Sequence, residues 1–265
     1  MPLIIPKHRP SWNRGFARNA AESENPGLWK GLVGLWLPSL GPTGLTLRDV
    51  SGRHNHGTLT NMDPATDWVM SEKGWALDFD GGTNYVDCGT GLGTLLGATK
   101  NISVSLWFKA DVVNGNDGIF YMGNLSSSQG EIALHIHVNV ITCKMDNAGW
   151  DFDISFTDTT SWHHLVFTYN GVSGKAYLDN VLRIDESHTP FLQLSGLKTI
   201  IGAYYSSSNL SFDGRIGSVA FHSRALAPNE IQQLYFDQHA LVRQRVRVFP
   251  AAVAGSTPSA TPSAT

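Results

Sequence analysis

A predominantly antiparallel β protein is predicted by two observations. Charged residues make up only 15% of the 265-residue chain while glycine reaches 27 and tryptophan 8, a balance that suits turn-rich sheet better than helices built from Ala, Glu, Lys and Leu. The chain also carries short runs that alternate apolar and polar residues, bounded by Gly, Asn and Asp. A hydrophobic content of 42% is ample for a sizeable core. The net charge of −3 gives no field for nucleic acid, and no segment approaches the ~18 apolar residues of a membrane span. The apolar run at Leu3-Ile4-Ile5 is too short for a secretory signal. Cys88 and Cys143 are too few for a disulfide framework and read as small buried side chains.

Each element follows from local pattern. Residues 1–29, with Pro2, Pro6, Pro10 and Pro26 and no sustained alternation, read as an extended N-terminal arm. In it, Trp12 and Phe16 are candidate apolar anchors on an assembly partner, with Arg14 and Arg18 as polar contacts. The main domain spans 30–238 and opens on an apolar strand at 32–37. Asp80-Gly81-Gly82 is a tight turn joining two strands, because glycine reaches positive φ without steric cost. Ile102, Val104, Leu106 and Phe108 share one strand face, with Ser103, Ser105 and Trp107 on the other. Within 131–140, Ile132, Leu134, Ile136, Val138 and Val140 point to the core and His135, His137 and Asn139 to a broad outer face. Residues 227–235 form the one short C-terminal helix, with Pro228 in its first turn and Glu230 near the positive dipole end. A basic strand within 239–254 alternates Val242, Gln244, Val246 and Val248 with Arg243, Arg245 and Arg247, either a charge-protected edge or an assembly contact. Residues 255–265 are a low-complexity Ser/Thr/Pro/Ala tail.

The order of Trp162-His163-His164-Leu165-Val166-Phe167, Ala176-Tyr177-Leu178-Asp179-Asn180, and Phe212-Asp213-Gly214-Arg215-Ile216-Gly217-Ser218-Val219 resembles the laminin-G-like, concanavalin A-like superfamily, as does the early Asp49-Val50-Ser51-Gly52 loop with His56-Gly57. The resemblance spans roughly 32–236. It implies an all-β, two-sheet antiparallel jelly-roll sandwich. Within that superfamily the whole pattern resembles laminin-G-like proteins of tailed bacteriophages and environmental bacteria.

Function is less legible, because this fold hosts lectins, glycanases and purely structural domains. Glycanases of the superfamily carry alternating acids on one strand, and this chain has no such run; the resemblance assigns Asp78-Phe79-Asp80 to a turn, and Asp151-Phe152-Asp153 lacks a Glu partner. The expectation is therefore a non-catalytic virion-surface or decoration protein, docked onto other subunits by its terminal segments, assembled in the host cytoplasm and possessing an optional affinity for polysaccharide. A carbohydrate-binding adhesin at a cell surface is the alternative, and a degenerate glycanase the third reading. For glycan stacking the candidates are Trp150, Tyr204 and Tyr205, with Asn116, Asp117 and Asn124 as polar contacts. No cofactor is expected. The resemblance leaves calcium at Asp49 and Asp213 as the alternative, weakened because Gly217 and Ser218 replace the acidic pair of the family's late block.

Overall fold

The computed structural model describes residues 15–96, 101–123, 132–145, 151–187, 196–204 and 210–245. Trp12, Arg14, Asn124, Trp150, Tyr205 and Arg247 lie outside these residues. In chain order the strands are Leu32–Trp36 (β1), Thr46–Leu47 (β2), Gly57–Thr60 (β3), Trp68–Ser71 (β4), Gly74–Asp80 (β5), Tyr85–Asp87 (β6), Ile102–Ala110 (β7) and Asn116–Gly123 (β8). They continue with Ile132–His137 (β9), Val140–Met145 (β10), Asp151–Ser155 (β11), His163–Tyr169 (β12), Ser173–Leu178 (β13), Val181–Ser187 (β14), Lys198–Ile201 (β15) and Asp213–His222 (β16). Two α-helices, Gly91–Leu96 (α1) and Pro228–Phe236 (α2), and two short 3-10 helices, Pro26–Trp29 and Pro38–Leu40, complete the described elements.

These strands make a sandwich of two antiparallel sheets. The back sheet runs β14-β13-β12-β7-β16-β5-β4 with β1 added to β16, and the front sheet runs β11-β10-β9-β8-β15-β6-β3-β2. Between them lies one continuous core that includes Trp36, Leu77, Phe108, Phe120, Leu134, Phe152, Phe167 and Phe221. Each such side chain contributes roughly 1.5–3 kcal/mol by leaving water. Cys88 and Cys143 are free thiols buried in it.

The inner face of β7 is as the alternation predicts. Its other face is buried too, and the cause lies far away in sequence. Leu28, Leu32, Leu35, Val166, Tyr177, Leu226, Ile231, Leu234, Leu241 and Val242 form a second cluster on the outside of the back sheet, and Ala76, Trp107 and Trp162 a third. Polar outward positions of β7 are tied into this cover: Ser103 Oγ donates to Arg224 O and accepts from Leu226 N–H, while Ser105 pairs with His164 Nε2 at 2.8 Å. Burial lowers the His164 pKa to about 3, so its ring is neutral.

Three expectations need correcting here. The described part of the N-terminal segment, residues 15–29, is no free arm: Leu28 is 1% exposed, and the segment packs on its own sandwich. The described part of the basic segment is not a strand. Residues 239–242 turn, Leu241 and Val242 are both buried, and Gln244 makes a single antiparallel bridge to Ser23. Consecutive burial breaks the period of two because this stretch crosses the sheet as cover. Third, Asp78-Phe79-Asp80 ends β5 instead of forming the turn, which starts at Gly81, and the strands it joins, β5 and β6, belong to opposite sheets.

The two chain segments are stitched by backbone bonds from Ala17 N–H to Val242 O (2.9 Å), Glu24 N–H to Arg243 O (2.8 Å) and Arg245 N–H to Glu22 O (2.8 Å). Phe16 and Arg18 remain exposed, as does Arg245; Arg243 is engaged by Asp237. Arg224 locks the cover to α2. Its guanidinium donates to Gly27 O and Lys30 O of the N-terminal segment and to both Glu230 oxygens at 2.6 Å, and Glu230 also accepts the Ala227 N–H that opens α2.

Two hairpins carry two-residue loops with both central residues at positive φ. Asp179-Asn180 (φ 53° and 63°) suits this turn, because short polar residues tolerate the left-handed region. The Asp179 carboxylate accepts from His163 Nδ1 (2.7 Å) and His164 N–H (2.9 Å), so the family-like His-His pair anchors the hairpin. Val138-Asn139 (φ 46° and 63°) does not suit its first position, and it explains why Val138, expected in the core, is 55% exposed, with Val140 only half-buried. A β-branched residue is strained there.

Val138→Asn is therefore expected to stabilise the protein by about 1 kcal/mol, read as a higher midpoint in urea denaturation. Arg224→Lys is expected to cost on the order of 2 kcal/mol, because an ammonium cannot reproduce the bidentate carboxylate pair and the two carbonyl contacts together. At His163, burial alone would lower the pKa, but the hydrogen bonds and charges of Asp179 and Asp158 outweigh it and raise it. At Asp179, burial would raise the pKa, but His163 and the His164 N–H outweigh it and lower it. The His163 contribution is present below its unfolded pKa of about 6.5 and lost as pH rises through the folded value; the Asp179 contribution is present above about 3.9 and lost as pH falls through its folded value. Asp179→Asn, which keeps the turn geometry, should thus lower the melting temperature most between about pH 4 and 6.5, with a smaller deficit on either side.

Candidate functional site on the front sheet

The outer face of the front sheet is built by alternation. On β9 and β10, Ile132, Leu134, Ile136, Ile141, Cys143 and Met145 point into the core, which leaves Ala133, His135, Thr142 and Lys144 outward. Register then aligns them in rows. Asp153, Thr142, His135 and Gly118 lie across β11, β10, β9 and β8, and beside them run Asp151, Lys144, Ala133, Tyr121 and Ile200. The second row continues from Ile200 to Asp87 on β6 and Thr58 on β3.

Residues 203–204 and 210–211 cross β8 at Gly118, and the Tyr204 ring lies on this face. Gly118 makes that possible: a Cβ there would lie 1.8 Å from the Tyr204 nitrogen, so only glycine lets the backbone cross so closely. The Tyr204 N–H and the Gly118 N–H both donate to Leu210 O. The Tyr204 ring is laid down against Tyr121 (5.5 Å between centroids, edge-on) and His135 (5.0 Å), and Lys144 Nζ donates to its hydroxyl at 3.1 Å. Beside this aromatic step, Thr142 donates to Asp153 at 2.8 Å. On the far side, Lys198 pairs with Asp87 at 2.8 Å next to half-buried Tyr85. Burial, then the nearby charges of Lys144 and His137, lower His135 to a pKa of about 4, so it is a neutral ring at pH 7. Its Nδ1 has no hydrogen-bond partner among the described residues.

The candidates from sequence scatter around this face. Tyr204 belongs to it, but at 8% exposure it is a floor residue and not the open stacking platform expected. Asn116 opens β8 opposite His137. Asp117, opposite inward-facing Ile136, turns between the sheets instead of onto the outer face. There burial and the charge of Asp213 push its pKa up to about 6, and burial with Asp111, Asp80 and Asp78 raises Asp213. The structure thus brings together Asp117 and Asp213, which sequence reasoning assigned to separate sites.

Asp49 and Asp213 are not brought together. Asp49 bridges Trp36, which registers with Val219, and Val219 lies six residues along β16 from Asp213, about 20 Å at strand rise. The Asp49 carboxylate is occupied locally: Oδ1 accepts from Leu35 and Ser51 N–H, and Oδ2 from Asn55 N–H, while the Asp49 N–H donates to His56 Nδ1. Gly217 sits at the register shift between Ile216 and Val219, where a Cβ would meet the Trp162 ring at 3.3 Å. Among the described residues no three or more His, Cys, Asp or Glu side chains are grouped to hold a metal ion.

Sequence reasoning missed Tyr121, Thr142 and Lys144. The alternation of 140–145 was the available signal for Thr142 and Lys144, and Gly118 inside a strand for the crossing backbone.

Comparison with known proteins agrees with this architecture. The solved fourth domain of AbnA, an extracellular arabinanase of Geobacillus stearothermophilus in complex with arabinotriose, is similar at 19% identity with a TM-score of 0.60, covering 77% of this chain and 98% of that one. The Trypanosoma rangeli sialidase in complex with sialic acid is similar at 14% identity and a TM-score of 0.59 over 78% of this chain, which spans only 33% of that enzyme. At such identities the likeness establishes the fold alone. No curated protein matches the sequence. The family model described as the concanavalin A-like lectin/glucanases superfamily, of laminin-G type, matches residues 80–232, and the chain belongs to that superfamily.

Proposed function

We propose that the chain is a non-catalytic carbohydrate-binding module that receives its ligand on the outer face of the front sheet. The observation that carries this reading is the step of Tyr204, Tyr121 and His135 beside the polar groups of Lys144, Thr142 and Asp153. Half-buried His135 and the exposed margin of Tyr204, held from below by buried Tyr121, offer apolar contact to pyranose or furanose C–H groups, while the flanking side chains exchange hydrogen bonds with hydroxyls. The fold is compatible with this role, and the arabinotriose and sialic acid named for the two neighbours make arabinan oligosaccharides and sialosides the first probes.

The acids on this face support binding over hydrolysis. Asp153 is engaged by the Thr142 hydroxyl, and its neighbour across the sheet is Thr142 and not a second carboxylate, whereas hydrolysis needs a facing pair of acids. The setting we favour is the surface of a virus particle. The described chain ends pair at Ser23 and Gln244 on the back-sheet side, which leaves the front face turned outward from an attachment at either terminal segment.

A glycan array followed by calorimetry tests the reading. Binding by the wild type is expected to weaken at least about fivefold, roughly 1 kcal/mol, in Lys144→Ala and Asp153→Ala with melting temperatures near wild type. Absence of binding across arabinan, sialoside and bacterial polysaccharide probes would overturn it. So would release of reducing ends that Asp153→Asn abolishes.

A further inference from the structure

A small cavity lies where the back sheet meets its outer cover. Trp107 of β7, His164 of β12 and Ser218 of β16 line it from the sheet, and Leu234 of α2 and Gln238 just beyond line it from the cover. Three of these side chains keep a buried polar atom without a hydrogen-bond partner among the described residues: Trp107 Nε1, His164 Nδ1 and Gln238 Oε1. Trp107 is 4% exposed and His164 1%, so bulk solvent does not serve them. Native interiors satisfy such groups, through a bound water where no side chain reaches.

The rest of each side chain is committed elsewhere. The Trp107 ring packs against His164 (5.1 Å between centroids) and Tyr235 (5.8 Å), with Lys73 Nζ 3.7 Å from its centre, and none of these contacts uses the indole N–H. His164 Nε2 is taken by Ser105 Oγ. Gln238 Nε2 donates to Lys73 O, which orients the amide and leaves Oε1 unpaired. What remains is complementary to a molecule that both donates and accepts. An indole N–H only donates, an amide oxygen only accepts, and Nδ1 of a neutral imidazole takes whichever role Nε2 leaves it. An anion would meet the Gln238 oxygen and a cation the indole N–H, so the lining selects a neutral occupant.

We propose that this cavity is a binding site for one ordered water molecule, which accepts from Trp107, donates to Gln238 and makes its third hydrogen bond with His164. Three bonds are usual for a buried water, and the cavity is of a size for one such molecule. Trp107 and His164 belong to the sheet and Gln238 to the cover, so the water is a joint between the two layers. It lets the cover seat on polar sheet positions that its own side chains do not reach.

A high-resolution crystal structure of the full chain tests the site. A single solvent peak is expected within hydrogen-bond distance of Trp107 Nε1, His164 Nδ1 and Gln238 Oε1. In solution, magnetic relaxation dispersion of the water oxygen is expected to register it as long-lived, and Gln238→Met, which removes the acceptor and keeps the side-chain length, to lose about one such water. A melting curve establishes whether the variant is folded; if it is not, the wild-type map alone decides. A wild-type map without the peak overturns the proposal, as does direct pairing of these three atoms with one another or density larger than one water. A dispersion signal that folded Gln238→Met leaves unchanged overturns it equally.

Discussion

A single guanidinium holds the outer cover of the back sheet. Arg224 sits just beyond β16 and reaches the carbonyls of Gly27 and Lys30 as well as both oxygens of Glu230, so three stretches distant in sequence share one charged node. The node is partly shielded, with side-chain exposures of 21% and 16% for its two partners, which is where a bidentate pair outperforms a surface contact. With the apolar cluster around Leu28, Ile231, Leu234 and Leu241 and the backbone bonds of the terminal segments, it holds the layer that covers the outside of β7, β12 and β16. Without it, Trp107, Val166 and Ala220 would face water from a sheet whose inner side is already apolar.

That two-sided burial separates this sandwich from one with a core side and a wet side. It also divides labour between the sheets. The back sheet spends its outer surface on α2 and the terminal segments, while the front sheet keeps most of its outer surface as rows of mixed polar and aromatic side chains. The backbone crossing at Gly118 is the exception, and it converts a flat face into a stepped one. Binding chemistry, in this view, has one broad place to reside.

How far the sequence carried depended on the range of the forces involved. Alternation within 102–109 identified the inner face correctly because a strand's period is local. It said nothing of the outer face, since Ser103 and Ser105 look solvent-facing until Arg224 and His164 arrive from elsewhere in the chain. The basic run at 241–247 alternates convincingly, but Leu241 and Val242 are both drawn down by the apolar cluster, and tertiary packing overrides the pattern. Val138 was read as core because alternation has no memory of where a strand must turn. In the candidate site, Tyr204 was expected as an open stacking ring and is buried instead. Its burial depends on Gly118, eighty-odd residues earlier, and no window short enough for periodicity spans that distance.

The bridge between Ser23 and Gln244 has a mechanical meaning. Because the two outer segments run antiparallel with their ends close together, a pull applied between them loads the bonds of Ala17, Glu24 and Arg245 one after another, as a zipper, and not all at once in shear. Under tension the stitching would open at modest force and let out slack before the sandwich itself was stressed.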